Sequence, residues 1–208
     1  MTLQNSNNKG NWFSKKPVGL TIILIIVGAA LNFAISNFTA FVLKIPLFLD
    51  TIFTIAILFY CGIIPAILTA VIHSIPSSLL VNAPFYILFS LCSVAIILIT
   101  YGVMKNNDKR KQSVTLTILY LILAALLSGF ASSVIGGTIH TIGLLLYPEE
   151  ISEIVTEKFV LSLFSKNGSL LLSAILGRIP STCIDRVITT LLGYGLYELL
   201  LKIEKKFR

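Results

Sequence analysis

From Pro17 to Met104 the chain runs for 88 residues with two formal charges, Lys44 and Asp50, and is otherwise almost continuously apolar. A water-facing surface needs polar residues, whereas a lipid-facing helix needs apolar ones on every side, so this pattern predicts a bilayer-embedded protein. A crossing of ~30 Å at ~1.5 Å per residue takes about 20 residues, and that length divides the apolar regions into spans. The first runs from Val18 to Val42. Lys44, Ile45 and Pro46 interrupt it, and because proline suits a first helical turn the second span is placed from about Pro46 to Tyr60. Cys61 to Pro65 reads as a tight turn, and the third span runs from Pro65 to about Leu80. Asn82, Ala83 and Pro84 mark a break. Phe85 to Met104 is the fourth span and ends in the basic loop KNNDKRK.

The region Val114 to Tyr147 is too long for one straight crossing, and the stretch SGFASSVIGG offers a break. One span is therefore expected from Val114 to about Ile135, with Thr138 to Tyr147 as a short outer segment. Glu149, Glu150, Glu153, Glu157 and Lys158 follow, then an apolar run cut at Lys166, Asn167 and Gly168. This part reads as an extracytoplasmic cap or a re-entrant pair of short helices. Pro180 opens the last span, Pro180 to Lys202, ahead of the tail IEKKFR.

The expected fold is thus an all-α integral membrane protein with six transmembrane helices and short extracytoplasmic helical segments between helices five and six. Residues 1–17 form a basic cytoplasmic segment, 18–202 the membrane domain and 203–208 a basic cytoplasmic tail. Six is even, so both termini and the loop at 105–111 share the cytoplasmic side of the cell membrane, and the acidic run lies outside.

Composition agrees, with 56% hydrophobic and 12% charged residues. The net charge of +7 is concentrated in the flanks of apolar spans, where positive residues are retained on the cytoplasmic side, so no nucleic-acid partner is expected. Cys61, Cys92 and Cys183 show neither disulfide nor metal spacing and read as packing residues. The first apolar run is longer than a signal-peptide core and lacks a convincing cleavage site, so it is expected to remain as a helix. Walker A, HExxH and GxSxG patterns are absent from the sequence, and no enzymatic activity, metal or cofactor is assigned. Two similar halves with interrupted helices, expected of inverted-repeat transporters, are not seen either.

Ionisable groups in a membrane call for partners, since one left alone in hydrocarbon costs at least ~2.5 kcal/mol. With this topology Asn37, Asp50, Asn82, His140, Arg178 and Asp185 all fall towards the outer face, where they are candidates to line one substrate pocket. Each has a plainer reading. Asp50 in a first turn complements the helix dipole, Arg178 and Asp185 pair with each other or with headgroups, and Lys44 snorkels. His73, mid-helix, reads first as hydrogen-bonded to a neighbouring helix, and Arg186 as an interfacial partner of Asp185. Phe85 and Tyr86 either stack on a ligand ring or anchor their helix. Ala30 and Ala34, one turn apart, allow another helix to approach closely; Ala66 and Ala70 share that spacing, which ordinary intramolecular packing also explains.

The segments IPLFLDTIFTIAILFYCGIIPAILTAVIHSI and GRIPSTCIDRVITTLLGYGLYELL, with the length and helix count, resemble the substrate-binding S component of energy-coupling factor transporters. The resemblance covers most of the chain but rests on patterns of apolar, proline and acidic residues. It implies a six-helix subunit that captures a vitamin-like micronutrient at its extracytoplasmic side and works with a separate transmembrane T component and cytoplasmic ATPases. The family's helix-one A-x-x-x-A contact with the T component carries over to Ala30 and Ala34. Ligand residues vary across that family, so the pocket residues above rest on topology alone. The PLFLDT-like turn is also similar to membrane sensor regions of bacterial histidine kinases, which gives the alternative of a sensor signalling through another protein. A scaffold without a small ligand is the third reading, and the cargo is not named by the sequence.

Overall fold

The computed structural model describes residues 16–80, 84–105, 113–146, 162, 165 and 168–206, and these are almost entirely helical, with no strand among them. The helices of ten residues or more among the described residues are α1 (Val18–Asn37), α2 (Ile52–Cys61), α3 (Ile63–Leu80), α4 (Ser90–Lys105), α5 (Val114–Leu146) and α6 (Leu170–Lys206). Asn82 and the acidic run from Glu149 to Glu157 lie outside the described residues.

Four of these helical stretches are long and apolar enough to cross a membrane: Val18–Leu43, Ile63–Leu80, Phe85–Lys105 and Val114–Leu146. Their outward faces are apolar, with Ile22, Ile23, Ile26 and Val27 of α1 and Leu119, Leu123 and Phe130 of α5 exposed. In water such a surface would associate; against lipid it is the required covering.

α1 continues through a π-helical segment, Phe38–Leu43, that closes with the Lys44 N–H donating to the Thr39 carbonyl. Lys44 itself adopts a left-handed conformation, φ 52°, and is exposed, so it acts as the C-terminal cap of the first span.

The second span is shorter than the sequence suggests. Pro46 does not open it, and α2 starts at Ile52 and has 10 residues, ~15 Å, about half the hydrocarbon thickness. Residues 44–51 form a loop instead. Leu49, like Lys44, has positive φ, and the Phe48 and Leu49 N–H groups donate to the Asp185 carboxylate of α6 rather than to a helical ladder. α2 is the most enclosed element: Ile55, Leu58 and Phe59 are fully buried and join Ile96 and Ile97 of α4, Leu121 of α5 and Tyr197 of α6 in the core. Asn32 of α1, also fully buried, fixes its start by donating to Thr54 Oγ1 (2.9 Å) and accepting from the Phe53 N–H (3.1 Å).

Two expected breaks are absent. α5 is one helix of 33 residues, so SGFASSVIGG does not end a span at Ile135 and Thr138 to Leu146 is no separate segment. Pro180 does not open the last helix either; it sits inside the 37-residue α6. Both have the same cause. The small residues of α5 let α6 come so close that a Cβ on Gly137 would lie 2.7 Å from Ile175 Cγ1, and one on Gly129 3.0 Å from Cys183 Cα. As α5 advances eight residues between those glycines, α6 retreats eight, which marks antiparallel neighbours. Dense packing along this seam offsets the glycine and proline penalties that would break an isolated helix. At ~50 and ~55 Å, α5 and α6 both exceed the hydrocarbon thickness.

At one end of the bundle Lys16 pairs with Glu204 at 2.5 Å, and Tyr60 Oη donates to the same carboxylate. The two ends of the helical domain therefore meet.

Candidate functional site

Well away from that clasp, α1, the 44–51 loop, α3, α4 with the 3-10 turn Pro84–Phe89, α5 and α6 line a half-open cavity of ≈ 190 Å³. α1 ends on it with Ser36, Asn37 and Phe41, and the loop adds Phe48 and Asp50. α3 supplies His73, Ser74 and Ser77; the 3-10 turn and α4 supply Tyr86, Phe89, Cys92 and Ser93. α5 contributes Ser132 and Gly136, and α6 contributes Arg178, Thr182 and Arg186, spaced four apart on one face.

The electrostatic centre is Arg186, whose side chain is only 4% exposed. Its Nη1 donates to Asp50 Oδ1 (2.9 Å) and Thr51 Oγ1 (2.7 Å) and lies 3.3 Å from Asp185 Oδ2. Its buried Nε has no hydrogen-bond partner among the described residues. Guanidinium between two carboxylates satisfies the requirement that a charge in hydrocarbon be paired. Asp50 is the accessible member, its side chain 20% exposed.

The six candidates separate. Asn37, Asp50 and Arg178 line the cavity. Asp185 does not: it is fully buried, and its Oδ1 accepts the Phe48 and Leu49 N–H groups at 2.9 and 2.8 Å, so it anchors the loop. Its ion pair is with Arg186 and not with Arg178. His140 is buried in α5 outside the cavity wall, one turn beyond Gly136. Asn82 lies outside the described residues. Asp50 precedes α2 and pairs with Arg186, so it is no first-turn dipole partner.

His73 meets the neighbouring helix as its sequence position suggests, with Nε2 3.5 Å from Ser36 Oγ of α1. It also lines the cavity. Tyr86 and Phe89 form an aromatic wall, ring centroids 5.3 Å apart, with the Arg178 guanidinium 5.5 Å from the Phe89 ring. Phe85 instead packs on α5, where a Cβ on Gly143 would fall 2.5 Å from its ring. The serines, Phe48, Phe89 and the central role of Arg186 were not anticipated. Serines at i and i+3 on α3 (Ser74, Ser77), with His73 beside them, are the one local signal that would have pointed to a polar helix face.

Among the described residues no group of three or more His, Cys, Asp or Glu side chains is placed to hold a metal ion. The arrangement can receive a small molecule by hydrogen bonding, ion pairing and ring contact. Replacing Asp50 by Asn is expected to weaken binding of whatever the cavity holds by about tenfold, the worth of one charge-assisted contact. Metabolite retention by the purified variant measures this; unchanged retention would remove Asp50 from the site.

Comparison with known protein families, with curated proteins and with solved structures finds no match to this chain.

Proposed function

We propose that this protein is the membrane-embedded, non-catalytic substrate-capture subunit of an ATP-driven micronutrient transporter, similar to the S components of energy-coupling factor systems. It spans the cell membrane six times with both termini in the cytoplasm, and it works with a T component and ATPases supplied by other chains. The observation that carries this reading is the cavity: a half-open space between helices, walled by aromatic rings and lined by the Asp50–Arg186 ion pair, is what a small polar ligand needs in a protein otherwise built for lipid. The Lys16–Glu204 contact supports placing both termini on one side.

The two alanine pairs support the proposed division of labour. Ala66 and Ala70 are buried in the core, whereas Ala30 and Ala34 are exposed on α1. Ala30 also lines a shallow apolar groove with Phe33 and, from α3, Ile72 and Pro76. A small-residue stripe left uncovered suits close approach of a helix from another protein. Substituting Ala30 and Ala34 together by Leu is expected to abolish coupled uptake in cells while ligand retention stays at the wild-type level. Loss of retention, or full uptake, would misplace the interface.

The decisive experiment is to purify the protein from cells that hold a coupling module, look for co-purified T component and ATPases, and identify the released metabolites by mass spectrometry. A bound metabolite with a coupling module upholds the proposal. An empty protein that never associates with the module rejects it. Deletion that alters transcription without lowering uptake of any nutrient would favour the sensor.

A further inference from the structure

The polar groups that α1 and α3 bring to the cavity share a property that narrows the cargo. A serine hydroxyl has one hydrogen to give, and in this part of the wall each gives it to its own helix. Ser36 Oγ donates to the Phe33 carbonyl (3.1 Å), Ser74 Oγ to that of Ala70 (2.9 Å) and Ser77 Oγ to that of His73 (3.1 Å). Asn37 Nδ2 donates to the Phe33 carbonyl as well, at 2.7 Å. With the Ser36 hydrogen spent, His73 Nε2, 3.5 Å away, is the donor of that pair, so its proton is also used inside the wall. What these side chains keep for a ligand is chiefly oxygen lone pairs. Asp50 lines the same cavity with its side chain 20% exposed, and an ionised carboxylate only accepts.

The guanidinium groups do not reverse this. Arg186 is 4% exposed and spends Nη1 on Asp50 and Thr51. Arg178 lies over the Phe89 ring and has a further contact of its own. The wall built by α1, α3 and the 44–51 loop is therefore chiefly a set of acceptors. Tyr86 and Phe89 supply aromatic surface to the same space, and its ≈ 190 Å³ somewhat exceeds the ~150 Å³ that accommodates benzene in an apolar protein cavity. One substituted ring fits.

We infer that the cargo is a small amine carried on an aromatic ring, the ring against Tyr86 and Phe89 and the N–H groups on the oxygens of Ser74, Ser77 and Asp50. The inference rests on the capture reading and names its substrate class. An amine brings N–H donors and asks for none in return, whereas a carbonyl, carboxylate or ether oxygen would meet oxygen on this wall.

The test is calorimetry on the full chain in lipid nanodiscs, with empty nanodiscs as the reference for partition into lipid. The probes are m-phenylenediamine, whose ring carries N–H donors, and m-dimethoxybenzene, which places acceptor-only oxygens at the same ring positions. The diamine should bind at least about fivefold more tightly, the worth of one neutral hydrogen bond. Benzylamine, a charged amine on a like ring, distinguishes a cationic donor from a neutral one. Replacing both serines, Ser74→Ala with Ser77→Ala, should shrink the amines' advantage while m-dimethoxybenzene binds as before, a split that misfolding would not produce. An ether bound as tightly as the better of the two amines overturns the inference and leaves capture intact, and so does an advantage that the double variant does not change. If no probe binds, the metabolite released from the purified protein decides: a ring-borne amine upholds the inference, and a compound without one overturns it. No probe bound and nothing released would reject the capture reading itself.

Discussion

Replacing Arg186 by Met should destabilise the protein by about 3–5 kcal/mol, the usual consequence of removing one partner from a buried ion pair. Methionine fills much of the arginine volume, so the loss is electrostatic rather than a cavity effect. It would leave Asp50 without the Nη1 donor and Asp185 without its counter-charge. Asp185 still accepts two backbone N–H groups, whereas Asp50 keeps only its own backbone N–H among the described residues. Thermal unfolding of detergent-solubilised protein reads the effect. A double variant with Asp50→Asn should recover part of it, because one of the two stranded carboxylates is then neutral. Equal stability of the single variant and the wild type would show that this network does not hold the 44–51 loop to α6.

The second large effect is steric. Gly137→Val should cost about 3 kcal/mol, the upper part of the overpacking range, because even a Cβ would stand 2.9 Å from the backbone Cα and N of Ile175. Backbone atoms cannot rotate away, so α5 and α6 must separate along their shared seam. Gly102→Ala in α4 is the matched control: a Cβ there meets nothing within 4 Å, and alanine favours helix. It should leave stability equal or slightly higher. A Gly137→Val protein as stable as that control would refute the close approach of the two helices.

The same seam explains which parts of the fold could be read in advance. Apolar runs locate helices by composition alone, and α1, α3, α4 and α5 lie where their runs lie. Breaks are different. Gly136, Gly137 and Pro180 weaken an isolated helix, but their effect here depends on what faces them, and Ile175 is 38 positions from Gly137 in sequence. Pro46 misled for a related reason, since the loop that replaces a first turn is held by Asp185 from the far end of the chain. At the site, rarity of charge singled out Asp50, Arg178 and Asp185 as groups needing partners. It could not show that Asp185 would spend its carboxylate on backbone N–H groups, or that Arg186 would stand between two acids.

The Asp50–Arg186 pair spans 136 positions, and that separation has a consequence for how the protein is made. At a synthesis rate of about 5–20 residues per second, Asp50 exists for roughly 7–27 s before its partner has been polymerised. Throughout that interval the nascent chain holds a carboxylate and a short α2 that lack α6, so the second helix has no finished place in the bilayer. Its final burial must wait for translation of the last helix, and a message truncated before Arg186 would yield a chain with most of its apolar helices and no completed site.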